Sequence, residues 1–237
     1  VLFRSCDFGA GTHLYAAVVT ALYERERTGK GRVVEVSMQD AIYSSLASNY
    51  GMLHARGESA PSRTGNKHAG LGISPYNAYK TKDGFVVLNA PNDHHFRAVL
   101  DVIGRADLKT DPRFVSRATR VANMAAVDEL LESWSKNEMK HDVAKRMIEA
   151  GVPCAAVRTL KEVMNDENMH ARGSMEWIDH PVMGRIVLPN SPLIFEGTPR
   201  RAIEPNVTLG ASNEAVLGEW LGHSAEEVAS FKAGGVI

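Results

Sequence analysis

The sequence predicts a mixed α/β protein. A first α/β portion gives way to a smaller α+β portion, and the chain then returns to the first. Three observations carry this. An apolar helical stretch over residues 12–27 passes through Thr28-Gly29-Lys30-Gly31 into an alternating strand pattern over 33–38, a helix-to-strand return that suits an α/β sheet. Residues 57–72 are rich in Gly, Ser, Pro and charge and have no apolar period, the mark of a connection. Beyond them, short strands and helices alternate. With 237 residues, 44% hydrophobic and 23% charged, the chain can bury one or two cores.

Within 12–27, Leu14, Val18 and Leu22 form one stripe and Tyr15, Val19 and Tyr23 a second, so the helix is expected to be well buried. Ahead of it, Asp7-Phe8-Gly9-Ala10-Gly11-Thr12 reads as a glycine-bearing turn feeding a helix N-terminus. Asp7 is then either a helix cap or an ionised carboxylate beside free N–H groups, able to attack an activated acyl group. Thr28-Gly29-Lys30-Gly31 ends the helix and lacks the spacing of a phosphate-binding loop. Gln39-Asp40 opens a second helix, with Ile42, Leu46 and Tyr50 on one face. In the connection, His68-Ala69-Gly70-Leu71-Gly72 is the expected mobile core. It is either a plain linker or a cover over a site, and His68 is either solvated or a contact for an acyl carboxylate.

After Pro75, residues 76–79 and 85–89 read as strands around an Asp83-Gly84 turn, a strong hairpin signal. Asn92 or Asp93 caps a helix reaching Ile103, with Phe96, Val99, Leu100 and Ile103 inward. Helices follow near 121–136 and 142–150, closed by Gly151. Strands are expected at 152–157, 175–178, 186–188 and 192–195, with a short helix over 160–165. Ser224-Ala225-Glu226-Glu227 is a capping box for a last helix.

Lys and Arg number 27 against 28 Asp and Glu, for a net charge of -1. No basic field therefore argues for nucleic acid or an anionic membrane. No apolar run approaches a membrane span and no signal peptide is evident. Cys6 and Cys154 are the only cysteines and form no C-x-x-C pair; free thiols fit a reducing cytoplasm. His94-His95 has no partner at helical spacing, so no metal is expected. The Asn206-Val207-Thr208 sequon reads as chance without a secretory signal. Val1-Leu2-Phe3-Arg4-Ser5 reads like a translated sequencing-adapter end, and the chain is expected to begin inside a longer protein.

The run from Asp7-Phe8-Gly9-Ala10-Gly11 through Glu24-Arg25, then Thr28-Gly29-Lys30-Gly31 to Gln39-Asp40-Ala41, resembles the family III CoA-transferases. These are the CaiB/BaiF group, which includes formyl-CoA and carnitine CoA-transferases and α-methylacyl-CoA racemase. Ser74-Pro75-Tyr76 with Asp83-Gly84, Asn92-Asp93 with Phe96, and Asp111-Pro112-Arg113-Phe114 follow in order. Ala150-Gly151-Val152-Pro153, His180-Pro181 with Gly184, and Thr198-Pro199 before Leu209-Gly210 complete the series.

The resemblance implies a partial Rossmann-like large domain, a smaller α+β domain and an interlocked homodimer. It divides the chain at 1–56 (remainder of the large domain), 57–74 (linker and glycine loop), 75–190 (small domain) and 191–237 (return to the large domain). The family's nucleophilic aspartate falls on Asp7. Its glycine loop falls on the segment around Gly70 and Gly72, although this chain lacks a run of four glycines there. The implied reaction moves CoA from an acyl-CoA to a small free carboxylic acid through an aspartyl anhydride and an aspartyl–CoA thioester. Gly9, Gly11 and Thr12 would offer N–H donors to the oxyanion, and His68, Gly70 and Gly72 would bind or cover substrate. Coenzyme A is substrate, and no permanently bound cofactor or metal is expected. One alternative is a 2-methylacyl-CoA racemase using the same aspartate for proton transfer; another is a non-catalytic CoA-binding subunit. The Asn92-Asp93/Phe96 and Asp111–Phe114 motifs look more like a transferase than a racemase.

Overall fold

The computed structural model describes residues 2–237, with side chains from Ser5 onward. It forms two compact units, one ending at Val157 and the other spanning Arg158–Ile237. The mixed α/β class is borne out. The first unit holds a three-stranded sheet and the second a two-stranded one, both antiparallel, each accompanied by helices. No parallel pair occurs among the described residues, so the Rossmann-like part is not represented there by a parallel sheet.

Helix α1 covers Leu2–Thr28, so the expected start at Thr12 is corrected. The Asp7–Thr12 stretch is helix interior, not a turn. Two glycines cost a helix up to about 1 kcal/mol each, but a longer ladder of i→i−4 bonds runs through them. Thr12 Oγ1 donates to Phe8 O at 2.9 Å and Thr20 Oγ1 to Ala16 O at 2.8 Å. Gly29, at φ 70, ends α1 as its sequence suggested, with its N–H on Arg25 O at 2.8 Å. The expected burial of α1 is also corrected: Leu14, Val18 and Leu22 are 40–44% exposed. Burial needs a surface to bury against, and among the described residues the main packing partner of α1 is the short α2, Met38–Tyr43. The strand expected over 33–38 is absent, and Val33 is exposed. A strand exists only with a ladder partner, and the described residues supply none. A 3₁₀ turn, Ser44–Leu46, links α2 to α3, Ala47–Arg56.

The expected hairpin forms between β1, Tyr76–Thr81, and β2, Gly84–Asn89, in the register Tyr76↔Asn89. β3, Cys154–Ala156, adds to β2. Val86 and Leu88 of β2 point inward while Phe85 and Val87 are exposed, the alternation of a one-sided sheet. Against the inner face pack α4, Asp93–Val102, then α6, Met124–Ser135, and α7, Lys140–Glu149; the short α5 is Arg117–Ala122. Phe96, Val99, Leu100, Phe114, Val127, Leu131, Val143 and Met147 fill the core with Tyr79, Val86 and Leu88. Asn92 caps α4, its Oδ1 accepting from His95 N at 2.9 Å.

The second unit holds α8, Leu160–Met164, α9, Glu167–Ala171, and the hairpin of β4, Met175–His180, with β5, Gly184–Pro189. A π-helical turn, Ala215–Trp220, precedes α10, Ala225–Ala233, which opens on the expected Ser224/Glu227 capping box. The strand expected at 192–195 is not formed: Pro192 has no N–H to give a ladder. Among the described residues no helix is long and apolar enough to cross a membrane.

Candidate active site

Asp7 lies on the exposed surface of α1, with no side-chain hydrogen bond or ion pair among the described residues. It is not a helix cap. Its helical neighbours at i+3 and i+4 are Ala10, which is buried, and Gly11, which carries no side chain. A Cβ added at Gly9 or Gly11 would meet nothing within 4 Å, so no close neighbour among the described residues requires glycine at either position. The amides of Gly9, Gly11 and Thr12 serve the helix ladder. They are not free donors, and their expected role as an oxyanion cradle is corrected.

The segment around Gly70 has a different construction. His68 Nδ1 accepts from both Gly70 N and Gly72 N at 3.2 Å. Leu71 N–H donates to His68 O at 2.8 Å, and Leu71 sits at φ 48. Asn49 Nδ2 of α3 donates to Ala69 O at 3.2 Å. At Gly70 a Cβ would lie 3.0 Å from Ser48 O, so this glycine is where the segment rests on α3. The His68 ring meets Tyr76 edge-on at 5.4 Å. Lys67 pairs with Asp128 at 3.3 Å, and Asp128 also accepts from Tyr79 Oη at 2.8 Å. The segment expected to be mobile is therefore tied at several points. The structure brings His68, Gly70 and Gly72 together. No hydrogen bond, ion pair or ring contact among the described residues joins them to Asp7, Gly9 or Gly11.

Beside Tyr76 a cavity of about 670 Å³ opens over the sheet, lined by Asn66, Tyr76, Asn77, Val87, Asn89 and Cys154. Burial pushes the Cys154 thiol up to about 11, so it stays protonated and is no rival nucleophile. Among the described residues no group of three or more His, Cys, Asp or Glu side chains is placed to hold a metal.

Sequence reading passed over Arg120. It is 1% exposed. Its Nε donates to Ser74 O at 3.0 Å and one Nη to Phe114 O at 3.1 Å. The other Nη lies 2.9 Å from Asp93 Oδ1, an ion pair rather than an aligned hydrogen bond, and the guanidinium sits 4.6 Å over the Phe96 ring. Burial pulls its basicity down and Asp93 opposes that. The Ser74-Pro75, Asp93/Phe96 and Phe114 motifs thus converge on one buried cation. The Arg113 guanidinium forms two bonds to Asp111, at 3.1 and 2.7 Å.

The sequence profile of CoA-transferase family III matches residues 1–213, and the chain belongs to that family. It is 30% identical over 252 residues to the formyl-CoA:oxalate CoA-transferase of Streptomyces coelicolor, covering 98% of this chain and 59% of the relative. It is 29% identical over 232 residues to the succinyl-CoA–D-citramalate CoA-transferase of Chloroflexus aurantiacus, covering 98% and 57%. The crystal structure of a CaiB/BaiF family protein from Brucella suis superposes with a TM-score of 0.71 at 29% identity, over 90% of this chain and 55% of that one. The chain therefore spans less than two thirds of the length of these relatives.

Proposed function

We propose that the protein to which this chain belongs is an acyl-CoA:carboxylate CoA-transferase with Asp7 as nucleophile. The observation that carries the reading is the family match across residues 1–213, which includes an exposed Asp7 carboxylate without a partner among the described residues. A carboxylate can act as a nucleophile toward a thioester without the general base that a serine hydroxyl needs.

Asp7 attacks the thioester carbon of a donor acyl-CoA. The C–S bond breaks, CoA leaves as its thiolate, and a mixed anhydride forms. The thiolate attacks the Asp7 carbonyl, releasing the donor acid as a carboxylate and leaving an aspartyl–CoA thioester. An acceptor carboxylate then attacks that thioester, expelling the thiolate, which takes the acceptor's acyl carbon and frees Asp7. Each step exchanges one acyl bond for another, so the exchange needs no external energy source. Water must be excluded while the anhydride exists, and the His68–Gly72 segment is our candidate cover.

The test is CoA transfer from an acyl-CoA to a free acid by the native full chain. Asp7→Asn should lower the rate by at least about 10³-fold. Hydroxylamine should trap a hydroxamate on Asp7 in the parent only. Full transfer by Asp7→Asn removes the proposal. Deuterium uptake at the carbon next to the thioester, without CoA transfer, assigns a racemase instead.

A further inference from the structure

We infer that His68 is a positioning residue: its Nδ1 is the internal acceptor that gives the glycine segment its shape. The inference rests on the reading of that segment as the cover, but its geometry stands apart from Asp7. Two amides, Gly70 N and Gly72 N, converge on one ring nitrogen at 3.2 Å each. One lone pair serves both, so Nδ1 is bare and the ring proton sits on Nε2.

The backbone reaches this arrangement only through Leu71 in the left-handed region, at φ 48. A non-glycine residue stays there only when its surroundings fix it. Here the fixing groups are His68 O, which takes Leu71 N at 2.8 Å, and the His68 ring on either side of the turn. Tyr76 holds the ring edge-on, and Asn49 anchors Ala69. Gly70 has no room for a side chain against Ser48 O. Each group constrains a different atom, and the ring nitrogen is the hub.

An aliphatic residue at 68 would leave two half-buried amides without an acceptor, and the turn would open. Asparagine places Oδ1 as many bonds from the backbone as Nδ1 and should replace it. In the native full chain, amide exchange at Gly70 and Gly72 in His68→Leu should quicken by at least about tenfold, with Val86 in the core unchanged. His68→Asn should remain within about threefold of the parent. In CoA transfer, His68→Leu should lower kcat with little change in KM, and His68→Asn should restore it.

Unaltered exchange at Gly70 and Gly72 in His68→Leu overturns the inference. So does an Asn variant that exchanges as fast as the Leu variant. If His68→Leu does not fold, the Asn variant decides alone: protected amides support the role and unprotected ones overturn it. An Asp7→Asn protein that still transfers CoA would sink the functional reading while leaving the amide result standing, which keeps the two failures apart.

Discussion

A carboxylate that attacks a thioester must not already be committed to a partner, and Asp7 is uncommitted among the described residues. Because it is exposed and makes no side-chain hydrogen bond or ion pair among the described residues, Asp7→Asn should change stability by less than about 0.5 kcal/mol. Equal melting temperatures alongside lost transfer would separate chemistry from folding. Arg120 is the opposite case. It binds two carbonyls, faces Asp93 and covers Phe96 from a fully buried position. Arg120→Met should cost about 2–4 kcal/mol, read as a lower urea midpoint with an unchanged slope. Arg120→Lys should rescue little of it, since an ammonium cannot reach both carbonyls in the fork geometry of a guanidinium. The signal was present in the sequence: an acidic residue opening an amphipathic helix, a phenylalanine three places on, and a second phenylalanine at 114. Their common partner lies far enough along the chain that spacing alone does not connect them.

Local chemistry made the central elements readable. Asp83-Gly84 between alternating strands, Asn92 before an apolar period, and Ser224 with Glu227 each form the element they announce. Elements that depend on distant partners were not readable. The 33–38 pattern alternates correctly yet has nothing to pair with among the described residues, and the glycines at 9 and 11 lie inside a helix rather than in a turn. The Asp83 turn also does more than its sequence revealed. The N-cap residue of α7, Met139, offers no side-chain cap, and Asp83 Oδ1 in the β1–β2 turn accepts from Lys140 N at 2.8 Å instead. That bond holds the Asp83 carboxyl below the usual carboxylate range. A carboxyl whose folded pKa is depressed adds stability above its unfolded pKa and loses it as pH falls through the folded value. The melting temperature should therefore fall on acidification through and below the ordinary carboxylate range. Asp83→Asn should lower it at neutral pH and make the acid slope shallower; an identical slope in the variant would remove Asp83 from the account.

Across the whole molecule apolar burial is uneven, and this bears on which parts open first. The main core lies entirely between Tyr79 and Val152. In Arg158–Ile237, the described residues that reach full burial are His180 and Val228, while Phe195, Leu209, Trp220 and Leu221 remain exposed. Opening free energy follows the apolar surface that must be uncovered. Much of the second unit's order is local and polar instead. His180 Nδ1 accepts from Val182 N and Met183 N at 3.1 Å, and capping boxes open α8 and α10. Contacts of this kind break without exposing a core. Native-state hydrogen exchange in the native full chain should therefore show Val86, Leu131 and Met147 amides exchanging only by global unfolding. Amides of β5 and α10 should exchange at least about 100-fold faster, through smaller openings. If Val187 exchanges as slowly as Val86, the second unit draws its stability from cooperation with the first, and buried area within each unit is the wrong measure.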